Sequence, residues 1–384
     1  MEEKVGENTK KVNALFGNSC IITIIFETSY GEIYGCSCTA VEMNKTFRNE
    51  NGRIAFVADP VVYSNLTLNF SSSFYDVTLK ETTKKINLEP NNDQIVRVSL
   101  NVNDEWRSKT TESNIRVSRI CDYADIVICG SGGQGAYAFF GYSNRSGGVC
   151  ASGGAGGYHN FFRVTPKNGV LGSVTIGSAV QRSISASNSS TVLSAVKGMS
   201  GQTTTFIDAE NKSYIANGGS GGFAISQTTF PAYVSGADGG SGSGGVYLET
   251  ASNKYVGVSG QDGSDGENAS DSFDYGLGGK GQTPFPDVLK ENDIHCSAGG
   301  SVGYNGGMSS SSSITSEGGI GSVSGAYIAD LSSTPDTTPF KTVSMTCGTG
   351  GIVIRTSTIA YTQSNAGTSG IGICYIKLYF RSVD

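Results

Sequence analysis

The chain of 384 residues has few of the residue types on which many protein functions depend. It contains 8 prolines, 2 histidines and 1 tryptophan, and only 16% of its residues are charged. The scarcity of proline, with glycines that do not recur at every third position, excludes a collagen-like triple helix. The two histidines, His159 and His295, cannot form a histidine-rich metal site, and a catalytic triad would depend on one of them.

Charge and hydrophobicity also argue against two classes of partner. The net charge is -6 and the sequence has no basic cluster, so nucleic-acid binding has no electrostatic support. No apolar run approaches the roughly 18 residues of a membrane-spanning helix. The first residues, MEEKVGENTKKVNALF, are acidic and polar, whereas a signal peptide is basic and then apolar. We therefore expect no membrane insertion and synthesis in a cytoplasm.

Glycine is abundant, and its distribution divides the chain in two. Residues 1–120 contain 5 of the 54 glycines but 29 of the charged residues, and 49 glycines lie in residues 121–384. A shift of this size predicts a domain boundary near residue 120. With 18 tyrosines and 17 phenylalanines, the chain has enough apolar side chains for a core and is not typical of a disordered protein.

The region before this boundary is predicted to contain two parts. Residues 1–18 have apolar residues at near-heptad spacing, which predicts a tether or a short helix. In residues 19–120 apolar and polar residues alternate within short runs separated by turn residues, which is typical of strands. We therefore predict a small antiparallel β-sandwich, of immunoglobulin-like or carboxypeptidase-regulatory-like type, that serves as an attachment domain.

In residues 121–384, glycine runs alternate with apolar runs such as 124–128, 174–176 and 352–354. The glycine runs include GSGGQG from Gly130, SGGAGG from Ser152, NGGSGG from Asn217, DGGSGSGG from Asp238, GLGGKG from Gly276, AGGSVGYNGG from Ala298, EGGIG from Glu317 and GTGG from Gly348. Repeated Gly-Gly-x is compatible with polyproline II helices, which pack closely because glycine has no Cβ and whose backbone groups must pair between helices. We predict a mainly β protein whose second domain combines strands with packed polyproline II-type glycine helices.

Three stretches resemble a signature of the glycine-rich domains in fibre and tip proteins of tailed bacteriophages. They are FRVTPKNGVLGSVTIG at 162–177, in which we expect a hairpin, GQTTTF at 201–206 and ANGGSGG at 216–222. Lys167 and Asn168 before Gly169, and the serine-rich SISASNSS at 183–190, depart from that signature. The N-terminal stretches ITIIFETSYG (22–31) and GCSCTA (35–40) are similar to a small sandwich in tail proteins of phages that infect gut Firmicutes.

This resemblance implies a non-enzymatic virion protein, a tail fibre or tail-tip adhesin that is assembled in the cytoplasm of the bacterial host. The N-terminal part would bind other tail or capsid proteins, and loops on the glycine scaffold would bind a bacterial surface glycan or outer protein. The resemblance is compatible with a monomer or a homotrimer. Two alternatives stay open: a tail, baseplate or capsid-decoration subunit without host contact, and a glycan-binding or glycan-cleaving protein.

Candidate host-contact residues are chosen on chemistry, because the loops of such adhesins vary freely. Between residues 266 and 306 the glycine spacing widens, and five ring-bearing residues occur among Asp and Asn: Phe273, Tyr275, Phe285, His295 and Tyr304. Such a mixture suits stacking on sugars or packing on protein loops. The alternative is that these rings cap the scaffold or fill its ends.

Other motifs are weaker. GSGGQG at 130–135 matches a dinucleotide-binding pattern, but no helical period and no acid about 20 residues later follow it. The carboxylates between Asp262 and Asp274 have neither EF-hand nor β-roll spacing, so we expect no metal and no cofactor. Calcium bound by these carboxylates is the alternative that stays open. The nine cysteines include no CxxC, and we expect buried free thiols, with one or two disulfides or a metal site as alternatives.

Overall fold

A computed structural model describes the backbone of the following residues: 19–49, 52–141, 148–151, 154–180, 184–186, 193–227, 232–234, 239, 246–249, 252–254, 303–306, 313–315, 327–331, 352–356, 361–363 and 369–383. Within these ranges the protein is built from β-strands, turns and irregular segments, and no helix occurs. The prediction of a mainly β fold is therefore confirmed. The predicted tether or helix at 1–18 lies outside the described residues.

Two sheets form the N-terminal region. One sheet contains β1 (Cys20–Thr28), β2 (Gly31–Glu32), β5 (Ile54–Ala58), β7 (Val77–Leu79) and β9 (Gln94–Val102), in the order β2-β1-β9-β7 with β5 also paired to β1. The other has the order β4-β3-β6-β8 and contains β3 (Ser37–Ala40), β4 (Lys45–Arg48), β6 (Asn65–Ser71) and β8 (Thr83–Asn87). Most pairs are antiparallel, but β1 and β9 are parallel. The prediction of an antiparallel sandwich is therefore wrong for this pair of strands.

The two N-terminal sheets share one hydrophobic core, which follows from the period of two in their strands. In β6, Leu66, Leu68 and Phe70 are buried while the residues between them are more exposed. Side chains of β1, β3, β5, β8 and β9 with the same alternation join them in a single cluster. Alternate residues of a strand point to opposite faces, so each sheet directs one apolar face towards this core.

A second pair of sheets follows. The first has the order β10-β30-β12-β15, with β10 (Arg107–Ser108), β12 (Cys121–Cys129), β15 (His159–Val164) and β30 (Ile373–Phe380). The second has the order β11-β16-β19-β20, with β11 (Glu112–Arg116), β16 (Val170–Thr175), β19 (Thr204–Asp208) and β20 (Ser213–Ala216). Their buried residues form a second core cluster. Although β10 and β11 precede residue 121, they pair with β30 and β16. The strands from residue 107 onward therefore belong to the second pair of sheets, although the glycine content rises only after residue 120.

The remaining strands form four smaller sheets. One has the order β18-β13-β28-β27, with β13 (Tyr137–Gly141), β18 (Leu193–Val196), β27 (Tyr327–Leu331) and β28 (Ile352–Thr356). Another has the order β21-β14-β25-β26, with β14 (Gly148–Ala151), β21 (Ala224–Gln227), β25 (Gly303–Gly306) and β26 (Ser313–Thr315). The others pair β17 (Ile184–Ala186) with β29 (Tyr361–Gln363), and β22 (Ala232–Val234) and β24 (Ser252–Lys254) with β23 (Val246–Glu249).

The hairpin expected within residues 162–177 is only partly present. Asn168 and Gly169 have φ of 52° and 71°, and Lys167 and Val170 exchange backbone hydrogen bonds of 2.9 and 3.0 Å. Two successive positive φ values are typical of a tight two-residue hairpin turn. The flanking strands then separate, because β15 pairs with β12 while β16 pairs with β11 and β19. The turn therefore joins two sheets and does not close one hairpin.

Four stretches outside the strands, called the glycine segments here, lie side by side: residues 130–135, 154–158, 198–202 and 217–222. They are joined by backbone hydrogen bonds, and the donors from one segment to a given neighbouring segment recur at every third residue. Gly130 and Gly133 donate to the carbonyls of Tyr158 and Ala155 at 2.9 and 2.8 Å. Ser131 and Gln134 donate to Gln202 and Met199, and Gly219 and Gly222 donate back to Ser131 and Gln134. The segment 130–135 is thus bonded to the other three.

The glycine segments approach each other too closely for any side chain at the contact positions. A Cβ placed on Gly133 would lie 2.1 Å from the carbonyl oxygen of Ser220, and one on Gly154 would lie 2.2 Å from the carbonyl oxygen of Gly133. Both obstacles are backbone atoms, which cannot rotate away. Glycine is therefore required here for the close approach of main chains.

Backbone and side-chain hydrogen bonds join the N-terminal sheets to the second region. The N–H of Tyr75 donates to the carbonyl of Arg116 at 2.8 Å. Ser118 donates its N–H and Oγ–H to the two carboxyl oxygens of buried Asp76 at 2.9 and 2.5 Å. After β30, the N–H of Val383 donates to the carbonyl of Tyr30 at 2.9 Å. The end of the last strand therefore contacts the first sheet.

Candidate functional site

Most of the predicted host-contact residues lie outside the described part of the chain. This applies to Phe273, Tyr275, Phe285 and His295. The backbone of Tyr304 lies in β25, opposite Cys150 of β14, but its side chain is outside the described residues. Their role in host contact therefore stays a prediction.

A different group of aromatic and charged side chains lies on the sheet that contains β12. This tyrosine-arginine cluster consists of Tyr123 and Asp125 of β12, Arg163 of β15 and Tyr379 of β30. The strand register places Tyr123 opposite Tyr379, and Asp125 opposite Arg163. Their neighbours in sequence, such as Ala124, Phe162 and Leu378, belong to the hydrophobic core. By the period of two, the cluster occupies the opposite face of the sheet.

The side chains of the tyrosine-arginine cluster are held in one arrangement. The tyrosine rings stack with their centroids 4.5 Å apart and their planes at 20°. Arg163 forms a bidentate ion pair with Asp125, with Nε–Oδ1 2.7 Å and Nη2–Oδ2 3.0 Å. The same guanidinium lies 4.1 Å from the ring centroid of Tyr123 and 5.8 Å from that of Tyr379. Stacking and charge pairing thus fix four side chains together.

Burial and charge set the protonation of this cluster. Asp125 is 6% exposed, whereas the side chain of Arg163 is 57% exposed. Hydrogen bonds to Asp125 raise the pKa of Arg163, which keeps the guanidinium charged. Burial, followed by the negative charge of Asp125, raises the pKa of Tyr379, so its phenol stays protonated at neutral pH.

The chemistry available to the tyrosine-arginine cluster is recognition by ring faces. The carboxylate of Asp125 is engaged by both guanidinium nitrogens and buried, which makes it a poor general base. Half-buried rings beside a cation suit stacking against a sugar ring or a planar side chain. Sequence reasoning missed this cluster. One signal was present: Asp125 is a charged residue within the apolar run 124–128, where an acid needs a partner.

The dinucleotide-like motif at 130–135 follows a strand, as its pattern requires, because β12 ends at Cys129. The next element, however, is strand β13, and no helix N-terminus is available to bind a pyrophosphate. The motif instead forms the central glycine segment. The first histidine, His159, begins β15 opposite Cys129.

The cysteines whose side chains are described are buried thiols that form no disulfide. They are Cys20, Cys36, Cys38, Cys121, Cys129 and Cys374. Burial raises the pKa of Cys36 to about 11 and that of Cys38 and Cys374 to about 12, so these thiols are protonated and unreactive at neutral pH. The prediction of buried free thiols is confirmed for these six residues, and Cys150, Cys296 and Cys347 lie outside the described side chains.

In the described part of the chain, no group of three or more His, Cys, Asp or Glu side chains is placed to hold a metal ion. The same residues contain no helix with the length and hydrophobicity needed to cross a membrane. No protein-family model matches the chain, and no curated protein matches it significantly.

Proposed function

We propose that the protein is a non-enzymatic virion protein of a tailed bacteriophage, a tail fibre or tail-tip adhesin that binds the bacterial surface through loops on a glycine-rich scaffold. The observation that carries this proposal is the packing of the glycine segments, which join the same stretches that resemble phage fibre and tip proteins: GQTTTF at 201–206 and ANGGSGG at 216–222. A scaffold held by its main chain leaves the connecting loops free to vary in sequence.

In this proposal the glycine segments are polyproline II-type helices. Three observations support that assignment. Their hydrogen bonds run between segments, the donors to a given neighbouring segment recur at every third residue, and none of their glycines has a positive φ. A polyproline II helix has three residues per turn and no internal hydrogen bonds, so its donors must be satisfied by neighbouring helices.

The N-terminal sheets serve, in this proposal, as the β-sandwich attachment domain that binds other tail or capsid proteins. Their shared core supports a sandwich that can fold around its own side chains. The adhesin is assembled in the bacterial cytoplasm and becomes part of the virion, as a monomer or a homotrimer. The rings near residues 266–306 and the tyrosine-arginine cluster are the two candidate contacts with a surface glycan or outer protein.

The test measures binding of the fluorescently labelled full chain to bacteria that the parent virus infects, and to resistant derivatives of the same strain. The full chain is used because β10 and β11 pair with strands beyond residue 121, so cutting at residue 120 would separate paired strands. We expect saturable binding to sensitive cells and competition with virus adsorption.

Two variants locate the contact within the adhesin. Phe273→Ala with Tyr275→Ala removes rings from the predicted loop, and Tyr123→Ala with Tyr379→Ala removes the stacked rings of the cluster. Loss of cell binding in one variant, with the fold retained by circular dichroism, identifies the contact surface. Failure of the wild-type chain to bind sensitive cells would overturn the adhesin proposal and favour a tail, baseplate or decoration subunit. Release of reducing sugars from host glycans would contradict a non-enzymatic role.

A further inference from the structure

A cleft of about 450 Å³ lies where the N-terminal sheets meet the second region, and three arginines line it. Arg48 is contributed by β4, Arg116 by the end of β11, and Arg119 by the segment that leads to β12. The rings of Tyr34 and Phe74 complete the walls. We name this feature the arginine cleft. It is separate from the tyrosine-arginine cluster, with which it shares no residue.

The arginine cleft contains cations without matching anions. Among its lining residues there is no Asp or Glu, and no ion pair is formed by its three arginines within the described residues. The nearby carboxylate of Glu32 pairs with Arg53 at 2.6 Å, and the pKa of Glu32 is lowered first by this hydrogen bond and least by the charge of Arg119. The chain as a whole carries a net charge of -6, so three arginines without an ion-pair partner among the described residues, lining one cleft, are a local exception. A concave surface lined with one sign of charge concentrates ligands of the other sign.

Two of the guanidinium groups are already oriented. The guanidinium of Arg119 lies 4.9 Å from the ring centroid of Tyr34, and that of Arg116 lies 5.4 Å from the ring centroid of Phe74. A guanidinium stacked on a ring keeps its N–H groups available at its edges. Less side-chain entropy is then lost when these N–H groups bind a ligand.

The backbone that carries these arginines is also fixed. The carbonyl of Arg116 accepts the N–H of Tyr75, and the N–H of Val117 donates to the carbonyl of Gly169 at 3.0 Å. Next to them, Ser118 is bound by both carboxyl oxygens of Asp76. Residues 116–119 are therefore tied both to the N-terminal sheets and to the turn at Asn168-Gly169. A preorganised site of this kind suits binding and does not need to fold around its ligand.

We propose that the arginine cleft is a binding site for a phosphoryl group. Guanidinium forks match the geometry of phosphate oxygens, and three of them can share the oxygens of one phosphoryl group and balance its charge. A single carboxylate offers three arginines fewer acceptor oxygens and less negative charge than a phosphoryl group does. The ligand is a phosphate-containing compound, and the source of the phosphoryl group is distinguished in the test.

The test is calorimetric titration of the full chain with inorganic phosphate at constant ionic strength. Arg116→Gln and Arg119→Gln replace the guanidinium by a shorter, neutral amide, and each is expected to weaken binding about tenfold because a charge-assisted hydrogen bond is lost. The matched control is Arg97→Gln. Arg97 is an exposed arginine paired with Glu27 and does not line the cleft. Circular dichroism verifies the fold of each variant.

Three outcomes decide the proposal. Weaker phosphate binding in both cleft variants, with unchanged binding in the control, supports it. Equal losses in all three variants, or no binding by the wild-type chain, would overturn it. The chain is also titrated with poly(glycerol phosphate). If this polymer binds more tightly than inorganic phosphate, the phosphoryl group belongs to a phosphodiester polymer. If inorganic phosphate binds more tightly, the ligand is a small phosphate compound. Tighter binding of oligogalacturonate than of both phosphate probes contradicts the preference for phosphoryl groups.

Discussion

The N-terminal sheets and the glycine segments achieve close packing by opposite means. In the N-terminal sheets, apolar side chains such as Ile24, Phe26 and Leu68 fill the space between two sheets and are almost fully buried. In the glycine segments no side chain separates the main chains, and neighbouring backbones contact each other at Gly133 and Gly154. One region is therefore stabilised by the burial of apolar surface, and the other by ordered hydrogen bonds between backbones.

This difference implies opposite sensitivities to mutation. Where side chains fill the core, removing atoms leaves a cavity and costs stability. Where main chains are in contact, adding a single methyl group forces them apart. The N-terminal sheets should therefore be destabilised when side-chain atoms are removed, and the glycine segments when side-chain atoms are added. Matched substitutions test this.

The largest effect is expected for truncation in the N-terminal core. Leu68 is 0% exposed, and Leu68→Ala should lower the free energy of unfolding by about 4 kcal/mol, because both buried methyl groups and their contacts are lost. Chemical denaturation measures this. Ile95→Ala, at a residue 65% exposed, is the control and should change the free energy of unfolding by less than about 0.5 kcal/mol. Similar losses in both variants would contradict a side-chain core.

The next effect is expected for a methyl group added to a glycine segment. Gly133→Ala should lower the free energy of unfolding by about 3 kcal/mol, because its Cβ would lie 2.1 Å from a backbone oxygen of Ser220. Gly52→Ala is the matched control, since no atom lies within 4 Å of the added Cβ. Denaturant unfolding of both variants checks the prediction. If Gly133→Ala is as stable as Gly52→Ala, the glycine segments do not pack as described.

The smallest effect is expected at the junction between the regions. Burial raises the pKa of Asp76 although Ser118 donates two hydrogen bonds to it. The protonated carboxyl is thus favoured in the folded state. Its stabilising contribution is fully present below the unfolded pKa of about 3.9 and is lost as the pH rises through the folded pKa. Asp76→Asn removes this titration.

The measurement is the free energy of unfolding of wild type and Asp76→Asn from about pH 4 to pH 7. The stability of Asp76→Asn relative to wild type should rise across this range, by less than the effects above. Asp104→Asn, at an exposed carboxylate, serves as control and should follow wild type. Parallel curves for wild type and Asp76→Asn would show that the junction carboxyl does not titrate in this range.

The predictability of the fold differed between the two regions for a physical reason. Alternation at 66–70 and 96–102 located β6 and β9, because a half-exposed strand leaves a period of two in its own sequence. The same reasoning did not predict that β1 and β9 are parallel, nor that β15 and β16 separate into different sheets. Pairing partners depend on residues far apart in sequence, and local periodicity does not contain that information.

The candidate sites were predicted less well than the strands. Aromatic composition predicted host-contact residues between 266 and 306, and of this range only the backbone of 303–306 is described. The tyrosine-arginine cluster and the arginine cleft were missed because their members come from distant strands and turns. Arg163 pairs with Asp125 across 38 residues. Arg48 and Arg119 line one cleft only because two regions of the chain come together.

By itself, the sequence determined that this chain forms strands, that the glycine content changes near residue 120, and that glycine occurs in many short runs. These properties depend on local composition and period, which each segment carries independently. The tertiary structure alone decided which strands pair, which glycine segments share hydrogen bonds, and where arginine and tyrosine side chains meet. Those contacts depend on how distant segments are brought together, and burial and backbone hydrogen bonding across the whole molecule decide that.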